Sequence, residues 1–180
     1  PARSRLRILD QQNEGACTGF GLAAVVDSLV LERGRRERVS PRMLFEMAKR
    51  HDQWPGQSYD YSSARGAMKG WHKNGVCSEK AWPYDPKKPG FLTEARQRDA
   101  LEVRLAAYYR IMPRRSDLHA ALNEVGAVFA SAAVHEGWDE PKRGVIGFDA
   151  SFREEGGHAF AIVGYTARGF LVQNSWGPDW

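Results

Sequence analysis

Cysteine is scarce in this chain of 180 residues, which contains only Cys17 and Cys77. Two cysteines without C-x-x-C spacing cannot form the disulfide framework typical of small secreted domains. They also offer too few thiolates for a structural zinc site, and the five histidines show no ligand spacing. We therefore predict no metal, no cofactor and a reducing compartment such as the cytoplasm.

Long apolar runs, internal repeats and low-complexity tracts are also missing. No stretch approaches the roughly 18 apolar residues of a transmembrane helix, and no signal peptide opens the chain. The net charge is only +4, and the basic clusters at 33–38 and 110–115 lack interleaved aromatic residues. This composition predicts neither a membrane partner nor a nucleic-acid partner.

Helical patterns occupy the first half of the sequence, and strand patterns occupy most of the second. Serine followed by proline at 40–41, and serine at 62 or 63, are signals for helix starts. The predicted helices are 17–33, 41–50, 64–73, 93–101 and one that is capped by Ser116-Asp117 and ends before Gly126. The predicted strands are 105–111, 127–134, 159–165 and 169–173, with a loop or hairpin over 137–155. This arrangement predicts an α+β fold.

Cys17 lies where a polar turn ends and an apolar helical pattern begins. Backbone N–H groups at a helix N-terminus are unpaired, and the helix dipole favours negative charge there. Such a position lowers the pKa of a thiol, and the thiolate is the nucleophilic form. A base is also needed, and His158 at the start of a strand pattern is the candidate, with Asn174 at the end of the next strand.

Three sequence blocks occur in a recognisable order: Q-x-x-x-G-A-C ending at Cys17, H-A beginning at His158, and N-S-W-G beginning at Asn174. Together they resemble the papain-like cysteine peptidases. His158 lies within the typical window of roughly 130–150 residues after the cysteine, and Asn174 lies just beyond it. The segment 75–84 is similar to a connection in bacterial members of the family.

The resemblance implies one papain-like catalytic domain over residues 1–180. A mainly helical lobe, about 10–84, would carry the cysteine. A mainly antiparallel sheet lobe, about 105–180, would carry the histidine and asparagine, with the active-site cleft between the lobes. Because the family's sheet continues past the tryptophan–glycine block, we expect this domain to be truncated at Trp180.

The resemblance also implies roles for individual residues. Cys17 would be the nucleophile, His158 the acid and base, and Asn174 the group that orients the imidazole. Gln11 would donate its side-chain N–H to the oxyanion, although its neighbour Gln12 would fit after a one-residue shift. The indole of Trp176 would cover the hydrogen bond between the histidine and the asparagine, excluding water from it.

This sequence departs from the family pattern at three places. Glu14 replaces a cysteine that usually forms a disulfide, and Thr18 replaces an aromatic residue in a wall of the cleft. The edge that pairs with substrate backbone should lie at 56–60, but it lacks the usual pair of glycines. Gly157 would leave its side of the specificity pocket open and uncharged, and Tyr61 would form another wall.

Three functions are compatible with these patterns. The first is a cysteine protease that hydrolyses peptide bonds in peptide or protein substrates through a thioester. The second is a catalytically idle papain-like module that binds peptide or protein. The third is an acyl-transfer enzyme on the same scaffold, such as a transglutaminase or deamidase. Because the chain opens on Pro1 without a pro-segment, we expect a processed form or a part of a longer chain with other domains.

Overall fold

The computed structural model describes residues 6–34, 37–54 and 60–180. Five helices and three strands follow one another along these residues. They are α1 (Cys17–Glu32), α2 (Pro41–Arg50), α3 (Ala64–Asn74), α4 (Glu94–Ala100), α5 (Arg115–Val125), β1 (Val128–His135), β2 (Glu154–Thr166) and β3 (Gly169–Gln173). A single 3₁₀ turn, Glu136–Trp138, follows β1. The helix-then-sheet order confirms the predicted α+β fold.

Side-chain caps begin the helices α2, α3 and α4. The hydroxyl of Ser40 accepts a hydrogen bond from the backbone N–H of Met43, and Pro41 occupies the first helical position. Ser63 caps α3 in the same way, which settles the choice between the two serines, and Thr93 caps α4. These local signals therefore place the helix starts where the sequence predicts them.

The first turn of α5 does not follow the prediction. The helix begins at Arg115 after the extended residue Arg114, and no side chain caps it. Ser116 and Asp117 lie inside the first turn instead, where the serine hydroxyl donates to the aspartate. Because that hydroxyl bonds a neighbouring side chain rather than a helix N–H, the predicted Ser116-Asp117 cap is wrong.

The three strands form one antiparallel sheet in the order β1-β2-β3. His158 of β2 lies opposite Ala132 of β1, and the register between β2 and β3 shifts near Gly164. Strand β2 begins earlier than predicted, since Glu154 already pairs with β1. The predicted loop at 137–155 therefore runs from the 3₁₀ turn only to the start of β2.

The predicted strand at 105–111 is absent. These residues are irregular, and most are exposed, including Tyr109. Leu105 packs against the core, but the segment pairs with no strand in the described ranges. Aromatic residues such as Tyr108 raise strand propensity, yet a strand forms only when a partner supplies its hydrogen bonds.

Helix α1 runs through the centre of the molecule. Leu22 and Val26 belong to a core shared with α2 and α3, whereas Phe20 and Val25 belong to a core shared with the sheet. A helix that is apolar on most sides can bury all of them, as its sequence predicts. The N-terminus of α1 is thereby fixed between the helices and the sheet. None of the helices in the described part of the chain is long and apolar enough to cross a bilayer.

Candidate active site

Cys17 is the first residue of α1, and its side chain is only 8% exposed. Glycine at position 21, one turn later, lets the helix approach β2, because a Cβ there would lie 2.9 Å from the backbone nitrogen of Phe160. This close approach brings the sulfur of Cys17 near the backbone N–H of Ala159, whose positive end stabilises the thiolate. The thiol therefore lies beside the residue that follows His158.

His158 is a buried residue of β2, 6% exposed. Its Nε2 lies 2.7 Å from Oδ1 of Asn174, and the backbone N–H of Ser175 donates to the same oxygen at 2.8 Å. An oxygen that accepts from Ser175 must also be the acceptor for the imidazole, so Nε2 carries a proton. In the neutral ring, Nδ1 is then the nitrogen that can accept a proton from a thiol.

The segments around Gln11 and Asn174 are held side by side by backbone hydrogen bonds. Asp10 and Trp176 form an antiparallel bridge, and the N–H of Gln11 donates to the carbonyl of Ser175 at 2.8 Å. The N–H of Gly177 donates to the carbonyl of Leu9 at 2.9 Å. The chain before α1 is thus tied to the segment that follows β3.

The side-chain amide of Gln11 is fixed at both ends. Its Oε1 accepts from the hydroxyl of Ser175 at 2.8 Å, and its Nε2 donates to the carbonyl of Glu14 at 3.0 Å. One further N–H remains on that nitrogen. Gln12, by contrast, is exposed, has a φ of 54° and donates its backbone N–H to Asp10. This geometry favours Gln11 over its neighbour, and the oxyanion role itself stays a prediction.

Aromatic rings surround the imidazole. The indole of Trp176 lies 4.7 Å from the ring of His158, measured between centroids, and the indole of Trp138 lies 6.1 Å away. The indole N–H of Trp180 donates to the carbonyl of Trp138 at 2.6 Å, which joins the 3₁₀ turn to the end of the chain. We predicted that Trp176 excludes water from the bond between histidine and asparagine, and that role stays a prediction.

Sequence reasoning missed Trp138 and Ser175. Trp138 falls within the predicted loop, where an isolated tryptophan in a polar segment was the only signal. Ser175 belongs to the N-S-W-G block, but the need for its hydroxyl appears only once Gln11 lies beside it. Neither contact is local in sequence, so neither follows from helix or strand periodicity.

Two of the residues predicted to bind substrate, Tyr61 and Gly157, are exposed. The Tyr61 ring is 61% exposed and packs on Gly15, where a Cβ would lie 2.5 Å from the ring. Gly157 is exposed, with open space where its Cβ would be. Thr18 is buried, and its hydroxyl lies 2.6 Å from that of Ser62, so it does not form an open wall. The substrate-binding roles of Tyr61 and Gly157 stay predictions, as does that of Trp176, which we also expected to contact substrate from its place beside the imidazole.

The predicted substrate edge at 56–60 lies outside the described residues except for Asp60. Within the described residues, no group of three or more histidine, cysteine, aspartate or glutamate side chains could hold a metal ion.

Burial shifts the pKa of the Cys17 thiol and the pKa of the His158 imidazole in opposite directions. It raises the pKa of Cys17, although the backbone N–H groups of Ala159, Thr18 and Cys17 itself act in the opposite direction. The helix-terminus effect predicted from the sequence is therefore present but outweighed. Burial likewise lowers the pKa of His158, against the hydrogen bond to Asn174 that raises it. Each shift disfavours the charged form of its own group.

Comparisons with known proteins show the family of this chain. A model of the papain family cysteine proteases matches residues 3–180. This chain belongs to the papain family of cysteine proteases. Its papain-family structure is similar to that of xylellain, a cysteine protease from Xylella fastidiosa, with a TM-score of 0.80 and 25% identity over 96% of this chain and 72% of that chain. A digestive procathepsin L from the larval midgut of Tenebrio molitor shares the papain-like fold, with a TM-score of 0.75, 22% identity and coverage of 96% of this chain and 57% of that chain.

Two curated relatives match along nearly the whole chain. One is an uncharacterized peptidase C1-like protein of Acanthamoeba polyphaga mimivirus, 27% identical over 96% of this chain and 60% of its own length. The other is chymomexicain of Jacaratia mexicana, 25% identical over 96% of this chain and 78% of its own length. The papain-family chain thus spans about three fifths of the viral relative and about four fifths of the plant one.

Proposed function

We propose that this chain is a cysteine protease that hydrolyses peptide bonds through Cys17, His158 and Asn174. The observation that carries the proposal is the fixed tautomer of His158. Asn174 and Ser175 together require the proton on Nε2, and this leaves Nδ1 as the basic nitrogen of the imidazole. The backbone N–H of the next residue, Ala159, interacts with the thiol of Cys17. Membership of the papain family and the likeness to xylellain support the same activity.

The reaction begins when a peptide carbonyl approaches Cys17. Nδ1 of His158 takes the thiol proton, and the sulfur forms a bond to the carbonyl carbon. The resulting oxyanion accepts hydrogen bonds from the backbone N–H of Cys17 and from Nε2 of Gln11. The carbon–nitrogen bond then breaks, and the imidazolium gives its proton to the leaving amine. A thioester and a neutral imidazole remain.

Water completes the cycle. His158 takes a proton from water as the water oxygen attacks the thioester carbon, and the carbon–sulfur bond then breaks. The imidazolium returns its proton to the sulfur as the carboxylic acid product leaves. Asn174 keeps the ring oriented through both steps, since Nε2 stays bonded to Oδ1 throughout.

The test is hydrolysis of a mixed peptide library by the chain and by Cys17→Ala, with products identified by mass spectrometry. We expect free acids from the native chain and no products from the variant. Cys77→Ala is a matched control. Cys77 is also buried, and burial, with the nearby Asp99 charge, raises its pKa to about 11, which makes it a poor nucleophile.

The same products separate the alternatives. Cross-linked amides would indicate acyl transfer to an amine, and conversion of glutamine to glutamate without chain cleavage would indicate deamidation. Turnover that survives Cys17→Ala would contradict the proposal. Peptide binding by the native chain without any turnover would favour the idle binding module instead.

A further inference from the structure

A buried ion pair joins α2 to the segment that precedes Cys17. Arg42 is fully buried, at 0% exposure, and its guanidinium donates twice to the carboxylate of Glu14. The distances are 2.8 Å from Nη1 to Oε1 and 2.5 Å from Nη2 to Oε2. Such bidentate pairs are among the strongest charge-assisted hydrogen bonds, and they fix geometry as well as distance.

Tyr84 forms the third part of this group. Its ring lies 4.6 Å from the guanidinium carbon of Arg42, in a cation–π contact. Its hydroxyl lies 2.7 Å from Oε2 of Glu14 and 2.7 Å from the carbonyl oxygen of Gln11. The Glu14 carboxylate and the Gln11 backbone therefore meet at one hydroxyl group. We refer to Glu14, Arg42 and Tyr84 as the clamp.

The clamp fixes the groups that orient the amide of Gln11. The backbone carbonyl of Glu14 accepts from Nε2 of Gln11 at 3.0 Å and from the N–H of Ala16 at 2.7 Å. Because this one carbonyl accepts both hydrogen bonds, a movement of Glu14 would shift the amide of Gln11. It would also shift Ala16, the residue next to Cys17. Arg42 also bonds the carboxylate of Glu46, one turn later in α2. That carboxylate lies on the same helix as Arg42 and does not belong to the segment that carries Gln11 and Cys17.

Charge explains why Glu14 stays in place. A buried guanidinium that loses its partner leaves an uncompensated charge, which is strongly unfavourable. Burial raises the pKa of Glu14, but hydrogen bonds from Arg42 and Tyr84 outweigh it and hold the pKa below its usual range. The carboxylate is therefore ionised at neutral pH, and the pair persists. A salt bridge thus occupies the position where the family resemblance implied a disulfide cysteine.

We propose that Glu14 is a positioning residue: its ion pair with Arg42 holds the Gln11 amide in the orientation that stabilises the oxyanion. The inference rests on the proposed protease function. Glu14 contributes no atom to the proposed reaction, so it acts by holding the segment that carries the Gln11 amide. Loss of its charge should therefore reduce stabilisation of the oxyanion without changing the nucleophile.

The test compares Glu14→Gln with Glu46→Gln. Both variants remove a carboxylate from Arg42, but only the first releases the Gln11–Cys17 segment. For Glu14→Gln we expect kcat to fall by about 10–100-fold, less than the 10²–10³-fold loss of a whole oxyanion donor, with KM within a factor of about three. For Glu46→Gln we expect kcat within about twofold of the native value, since the ion pair with Glu14 remains.

Alkylation by iodoacetamide separates positioning from general damage to the site, because this reaction forms no oxyanion. We expect the rate of Cys17 alkylation in Glu14→Gln to stay within about twofold of the native rate. Unchanged kcat in Glu14→Gln would overturn the proposal. So would a parallel loss of kcat and alkylation, which would indicate a disordered site.

Hydrogen exchange keeps the test independent of the protease activity. In the ligand-free chain, Glu14→Gln should speed amide exchange in the peptide covering residues 11–17, and Glu46→Gln should not. Tyr84→Phe, which removes only the bridging hydroxyl, should give a smaller change in the same direction. If native protein hydrolyses no peptide, the proposed function fails. If exchange over residues 11–17 is the same in all the variants, the clamp itself fails.

Discussion

The two sides of the candidate site are held in place by different physics. The thiol side, residues 11–17, is fixed by an ion pair and by polar hydrogen bonds that converge on Glu14 and Gln11. The imidazole side, centred on His158, lies on a regular strand and is covered by indole rings. Polar positioning depends on charge and direction, whereas ring packing depends on volume. The two sides should therefore fail differently when they are altered.

The largest effect is expected on the imidazole side, from His158→Ala. Loss of the general acid and base should lower kcat/KM for a fluorogenic peptide by about 10²–10⁴-fold. His119→Ala is the control, because that ring packs on Tyr165 rather than in the site. A His158→Ala protein that retains more than about a tenth of the native activity would exclude histidine as the base.

Gln11→Ala is the corresponding change on the thiol side. Removing one oxyanion donor should lower kcat by about 10²–10³-fold, with a small effect on KM. Gln12→Gly is the matched control: it removes the neighbouring glutamine at a position whose positive φ suits glycine. Equal losses in the two variants would show that the turn, and not the amide of Gln11, supports catalysis.

Asn174→Ala should have a moderate effect. Hydrogen bonds to charged groups contribute about 1.5–3 kcal/mol, so we expect kcat to fall by about 10–100-fold as His158 loses its orientation. Asn123→Ala removes an exposed asparagine that bonds Tyr165 and should leave kcat unchanged. Native kcat in the Asn174→Ala protein would mean that ring packing alone orients the imidazole.

The smallest effect is expected in the acid stability of the thiol side. The folded-state pKa of Glu14 is lowered, so its contribution is fully present above the ordinary value near 4.5 and is lost as pH falls through the lower folded value. The charged groups around it are Arg42 and Lys49, with Tyr84 as a donor and Glu46 on the far side of Arg42.

Urea denaturation of native protein and Glu14→Gln measures this contribution. The difference between their midpoints should be present at pH 7 and should shrink as the pH falls below 4.5. Burial lowers the pKa of His158, but this residue is present in both proteins, so its titration cancels in the difference between their midpoints. A midpoint difference that is equal at pH 7 and at pH 3 would contradict the assigned charge of Glu14.

Local signals in the sequence predicted much of the fold. The caps at Ser40 and Ser63, the helix that starts at Cys17, and the strands at 127–134 and 169–173 depend on neighbouring residues, and the structure confirms them. The strand at 105–111 failed because pairing depends on a partner far away in sequence. The cap at 116–117 failed because the helix already begins at Arg115, so both residues lie inside its first turn.

The site was predicted as a set of residue types but not as a packed arrangement. Sequence order indicated Cys17, His158 and Asn174, and the structure brings the last two into hydrogen-bond contact. The sequence could not indicate the ion pair between Glu14 and Arg42, because a contact between a turn and a later helix leaves no periodic pattern. The compartment stays a prediction.

Covalent labelling by an epoxysuccinyl inhibitor of thiol proteases, read by intact mass, tests the central claim most directly. An activated thiol in a formed cleft attacks the epoxide, so we expect one adduct on the native chain and on Cys77→Ala, and none on Cys17→Ala. A folded native chain that forms no adduct, or an adduct that persists in Cys17→Ala, would contradict the account.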